Sequence, residues 1–166
     1  MVSKVKIEKE EMGAVIVIKP YKDKFCVARF SMEKTSLVHI SSVKPKLDMV
    51  QFVDNVSGCV SCLLRFEKNS VDEVLFDESV YEYAAKIIEE KTKLKVVSFV
   101  EKYKVHERIA EQKEWIEKNI YFFKTGNEDY GCFLNIKNGY KEDCENCDPM
   151  AMDLLAAAAR HFRQKM

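Results

Sequence analysis

Two Cys-x-x-Cys pairs, Cys59-Val-Ser-Cys62 and Cys144-Glu-Asn-Cys147, have the spacing that most directly suggests chemistry. Four thiolates could hold Zn²⁺ tetrahedrally. Cys59 and Cys62 fall in CVSCLLRF, an apolar run that predicts a buried strand, and a strand sends residues i and i+3 to opposite faces. Buried thiols are the alternative for this pair. Cys144 and Cys147 precede a predicted helix start, where a thiol pKa falls. That pair could serve a redox or metal role alone, or form an ordinary loop. His39, His106 and His161 are scattered without a nucleophile motif, and five glycines in the chain argue against a phosphate-cradling loop.

Residues 78–94, ESVYEYAAKIIEEKTKL, predict an amphipathic helix. Val80, Ala84, Ile87 and Leu94 recur near a helical period, as do Tyr81, Ala85 and Ile88. Lys91, flanked by Lys86 and Lys93, could supply positive charge to a phosphate, or the three lysines could form a solvated face. Trp115 lies in the charged stretch HERIAEQKEWIEK, read as a surface loop or short helix. It could stack on a base, anchor a partner or pin the loop.

Around these residues, AVIVI (14–18) predicts a buried strand, KPYKDK a turn and FCVARFS (25–31) a second strand. LVHIS (37–41) predicts a third strand, while 46–56 is ambiguous between helix and strand. KVVSFVEKYKV (95–105), NIYFFKT and YGCFLNI read as further strands, with Tyr121, Phe122 and Phe123 mostly in the core. Asp148 as N-cap and Pro149 at the first position predict a closing helix, with Arg160, His161, Arg163 and Lys165 in its last turns. The order predicts an α+β or mixed-sheet α/β sandwich in one domain.

The chain has 166 residues, 47% hydrophobic and 33% charged, which suits a globular domain with a real core. Its 27 basic and 27 acidic residues balance, so no global basic field points to nucleic acid. No run approaches the ~20 apolar residues of a membrane helix. The charged start, MVSKVKIEKEEMG, has no apolar core for a signal peptide. The expectation is a cytoplasmic or nuclear protein with reduced cysteines.

The segment from Asp72 to Leu94 resembles the box of the Nudix hydrolase superfamily, G-x5-E-x7-R-E-U-x-E-E-x-G-U, with U aliphatic. Glu78 keeps the first Glu, Ile88 the aliphatic position, Glu90 one metal-ligand Glu and Leu94 the last aliphatic residue. Asp72 stands for Gly, Lys86 for Arg, Ile87 and Lys91 for the two other metal-ligand glutamates, and Lys93 for the second Gly. The resemblance implies an α-β-α sandwich over residues 13–166, after an N-terminal extension of residues 1–12 and with an insert near 43–58. It implies a catalytically silent module that binds nucleotide or RNA through Lys86, Lys91, Lys93 and Trp115, or that binds protein in an RNA-processing or ribosomal assembly. No cofactor is expected, because Ile87, Glu90 and Lys91 make a poor Mg²⁺ site. One alternative is a weak Mg²⁺-dependent pyrophosphohydrolase using Glu90 with Glu78, Glu82 or Glu101. Another is an unrelated mixed-sheet domain with a structural zinc held by Cys59, Cys62, Cys144 and Cys147.

Overall fold

Residues of alternating orientation set up the whole architecture. In the computed structural model, which describes residues 14–21, 24–31, 37–42, 48–64, 72–122, 128–142, 144 and 146–165, the apolar run of 14–18 is buried on both faces. Ile16 and Ile18 enter one hydrophobic cluster; Val15 and Val17 enter another on the opposite side of the sheet. The strand β1 (Ala14–Tyr21) continues through Pro20, where the sequence predicts a turn. It pairs antiparallel with β2 (Lys24–Ser31), which pairs antiparallel with β3 (Leu37–Ser42). On its other side β1 pairs parallel with β4 (Asp72–Asp77), and β4 with β5 (Val96–Phe99). The result is a mixed five-stranded sheet in the order β3-β2-β1-β4-β5.

Helices cover both faces. On the Ile16–Ile18 side lie α1 (Met49–Leu64) and α2 (Ala84–Thr92). The Val15–Val17 side is covered by α3 (Val105–Asn119), α4 (Glu128–Gly139) and α5 (Met150–Lys165). The near-continuous burial of α5, from Met150 to Ala159, places it at the centre of its layer. The small Ala side chains at 156–159 are all buried within it.

Several local expectations change. Residues 59–64 of the expected strand CVSCLLRF are helical, because their apolar residues continue a series from Phe52 through Val53, Val56, Val60 and Leu63; Arg65 and Phe66 lie outside the described residues. The expected insert is thus in part a core helix. YGCFLNI lies in α4, where Tyr130 and Phe133 are buried at i and i+3. HERIAEQKEWIEK is a full helix, with Ile109, Gln112 and Ile116 buried at i, i+3 and i+7. The long strand at 95–105 shrinks to four residues. Phe122 forms an isolated bridge, and residues 1–13, 43–47 and 123–127 lie outside the described residues. The hairpin, the third strand and the closing helix match the sequence reading. No described helix is long and apolar enough to cross a membrane.

The helix expected from Glu78 begins only at Ala84. Asp77 accepts the Ser79 N–H at 3.0 Å and turns the chain at the end of β4. Tyr81 then stacks on Phe52 of α1, with ring centroids 3.9 Å apart. Phe52 also meets Phe25 and Phe76, so it links α1 to the sheet. Replacing Phe52 with Ala should cost about 3–5 kcal/mol. Urea unfolding would show this as a lower midpoint with an unchanged slope.

Candidate functional site

The alternation that buries Val15 and Val17 also carries Lys19 to the α5 side of the sheet. Its side chain is only 2% exposed. A buried ammonium must find partners. Lys19 Nζ lies 2.7 Å from Asp153 Oδ2 on α5 and 3.1 Å from Glu101 Oε1, just beyond β5. Arg108 of α3 reaches the same two carboxylates, with Nε and one terminal nitrogen at 3.1 and 3.0 Å from Asp153 Oδ1 and Nε at 3.2 Å from Glu101. Arg160, two turns along α5 from Asp153, donates two hydrogen bonds to Glu101, each 3.1 Å. The Phe99 ring underlies this network, with Lys19 and Arg160 at 5.9 and 5.4 Å from its centroid.

Beside the network, Asp77 ends β4 one residue beyond the Ile18–Phe76 pair. It is 7% exposed, and among the described residues it has no ion pair. Lys19, Asp77, Glu101, Arg108 and Asp153 line one pocket of about 300 Å³, joined by Ser79 and Val100. The pocket opens where β1, β4 and β5, all mutually parallel, reach their carboxyl ends, the usual place for a ligand in an α/β sheet.

The network is rich in cations: Lys19, Arg108 and Arg160 share the two carboxylates Glu101 and Asp153, and Asp77 stands beside them in the pocket lining. Burial alone would push the Glu101 carboxyl up, but the hydrogen bond from Arg160 and the charge of Lys19 bring it below its ordinary value. Among the described residues no three His, Cys, Asp or Glu side chains are arranged to hold a metal ion. A divalent cation at Asp153 and Glu101 would have to displace Lys19 and Arg108 from both. The carboxylates as arranged therefore do not fit one.

The residues singled out from the sequence are not brought together. Ile87, Glu90 and Lys91 lie on the exposed side of α2, and Lys91 pairs with Asp54 of α1. Lys86 and Lys93 are exposed near it. Trp115 packs beside Phe162 of α5, on the other side of the sheet. Asp72 sits within β4, and a strand runs through the first part of the supposed box. Cys59 is buried on the inner face of α1 while Cys147 packs against the α5 cluster, so the four cysteines do not meet. Cys144 and Cys147 are joined by a disulfide rather than reduced. His161, in the last turns of α5, is half-buried, and burial together with Lys165 lowers its pKa. Glu82 is exposed on the loop after β4, and Glu78 is half-buried there. Of the residues proposed from sequence, only Glu101 reaches the pocket.

Lys19, Asp77, Arg108 and Asp153 escaped the sequence reading, although two left a signal. Lys19 continues the Val15, Val17 alternation. Asp153 interrupts an otherwise apolar helix face in MAMDLLAAAA.

No family model matches the chain, and no curated protein matches it. Solved structures do. The human cytomegalovirus terminase nuclease domain, soaked with Mn, superposes with a TM-score of 0.57 at 8% identity, over 87% of this chain and 81% of that one. Thermus thermophilus RuvC superposes with a TM-score of 0.50 at 13% identity, over 92% and 96%. The chain therefore has the fold of these two proteins, and the Nudix assignment is wrong. The silent Nudix module, its pyrophosphohydrolase alternative and the zinc-domain alternative fall with it. So does the expectation of no cofactor, which rested on the Nudix box and has no support from a fold shared with a manganese-soaked nuclease domain.

The cluster makes two testable statements about stability. Lys19→Met and Asp153→Leu should each cost about 3–5 kcal/mol, because each strands a buried charge. The double variant should recover most of that loss in urea titrations. Glu101 has its folded pKa below that of the unfolded chain. Its stabilisation is thus present above the unfolded value of about 4.3 and lost as pH falls through the lower folded value. Unfolding followed by circular dichroism should show a steeper acid loss in wild type than in Glu101→Gln.

Proposed function

We propose that the chain is a nucleic-acid-processing domain that seats a backbone phosphodiester in the pocket between β1, β4, β5 and α5. The observation that carries this is the convergence of Lys19, Arg108, Asp77, Glu101 and Asp153 in one pocket at the carboxyl ends of three parallel strands, with Arg160 bound to Glu101 at its edge. The nuclease named among the solved structures of this fold supports the substrate class by analogy.

The side chains divide the work. Arg160 is outside the pocket lining but holds Glu101, which lines it; at 37% exposed it is the cation that can turn from Glu101 to a phosphate, and its planar fork suits two phosphate oxygens. Lys19 and Arg108 stay paired and hold Glu101 and Asp153 in place, so that the site neither repels nor collapses on an anion. Asp77 has no competing cation among the described residues and is the carboxylate able to take a proton from an attacking water. The balanced net charge of the chain gives little long-range attraction, so the contact is short-ranged, and a partner protein in a nucleoprotein assembly would strengthen it.

The test is fluorescence anisotropy with short DNA and RNA strands, beside a cleavage assay with Mg²⁺, Mn²⁺ or EDTA. Binding should weaken with salt and fall roughly tenfold in Arg160→Ala, the scale of one charge-assisted contact. Asp77→Asn should keep binding and lose cleavage. Absence of binding to every nucleic acid at low salt would overturn the proposal.

A further inference from the structure

The loops on either side of the pocket carry an unusual surface. Residues 78–83 follow β4 and residues 100–104 follow β5; the Glu78 N–H donates to the Phe99 carbonyl at 3.1 Å and ties their starts together. Four of the eight large apolar side chains exposed in the described structure stand on these two short loops: Val80 at 61%, Tyr83 at 81%, Val100 at 55% and Tyr103 at 65%. The other four, Val50, Ile87, Val97 and Tyr121, stand singly on α1, α2, β5 and the segment after α3, which is ordinary for a monomer. The concentration on these two loops is not.

Both loops belong to the pocket. Ser79 and Val100 line it. Arg108, whose guanidinium holds Asp153, also donates to the Tyr103 carbonyl, so the cluster itself fixes the loop that bears Tyr103. Tyr83 is held with φ 69° and ψ 0° at the start of α2, without a side-chain cap hydrogen bond. A bulky aromatic residue rarely adopts this left-handed conformation, and such outliers gather at ligand sites. Helix capping does not account for a tyrosine there, since Asn or Gly would adopt the conformation more readily.

We infer that Tyr83 and Tyr103 are stacking platforms for the bases of a single strand whose phosphodiester sits in the pocket. This rests on the functional reading above and deepens it, naming single-stranded nucleic acid, rather than duplex, as the preferred form. An aromatic face recognises any unpaired base because every base has a π-face, whereas a duplex hides those faces. Stacking also supplies short-range affinity that does not need net positive charge, which suits a chain with balanced charge.

The experiment measures anisotropy with an oligothymidine strand and with a blunt hairpin duplex, on wild type, Tyr83→Ala, Tyr103→Ala, Tyr83→Trp and Tyr83→Gly. Each Ala variant should lose roughly 5- to 100-fold in affinity for the single strand and little for the duplex. Tyr83→Trp should retain single-strand binding. Tyr83→Gly relaxes the backbone yet removes the ring, so it should unfold no earlier than wild type while binding as weakly as Tyr83→Ala. Strong single-strand binding that ignores both tyrosines, with Arg160→Ala still impaired, would overturn the platforms and leave the pocket reading intact. Equal or tighter binding of the duplex would also overturn them. Absence of all binding by wild type would overturn both readings.

Discussion

A lysine ammonium enclosed between β1 and α5 is the constraint on which the pocket depends. Lys19 is only 2% exposed, and an isolated buried charge would cost far more than a domain's margin of stability. It is kept only because Asp153 and Glu101 close on it. Those carboxylates in turn need Arg108 and Arg160, since one ammonium cannot satisfy four carboxylate oxygens. The network therefore ties together β1, the end of β5, α3 and α5. It joins the apolar packing below it in fixing the position of α5 on the sheet.

This ordering explains why the pocket sits where it does. The apolar parts of β1 and α5 pack through Val15, Val17, Leu154, Ala157 and Ala158, and they leave the carboxyl end of the strands to the polar residues. One row across the sheet then presents Lys19, Asp77 and Phe99 to the same side. A fold built from parallel β1, β4 and β5 with a helix laid over them brings these ends together whatever the residues are. The choice of residues decides the chemistry. Here the choice is a saturated network with one carboxylate, Asp77, left without a cation among the described residues.

The likeness to the terminase nuclease domain and to RuvC covers most of each chain at 8% and 13% identity. At that distance the topology persists while the side chains drift. The fold sets where a substrate can enter, and the site must be argued from the residues present. Lys19 and its partners distinguish this chain's chemistry from anything the topology alone implies.

The sequence by itself determined the hairpin, the third strand and the closing helix. Their signals are local: alternation or an unbroken apolar run bounded by Gly and Pro for strands, and an Asp-Pro start for the helix. It also held the helices α1, α3 and α4, whose apolar residues recur at three and four, but short windows of the same residues read as strands or loops. Tertiary structure decided the rest. The Nudix spacing from Asp72 to Leu94 could not reveal that a strand runs to Asp77 and that the helix starts only at Ala84, because the Asp77 turn and the Tyr81–Phe52 stack set that boundary. Lys19 and Asp153 lie 134 residues apart, and only the parallel crossover from β1 to β4 with α5 above it makes them neighbours. No period in the sequence encodes a contact of that range; the sheet order does.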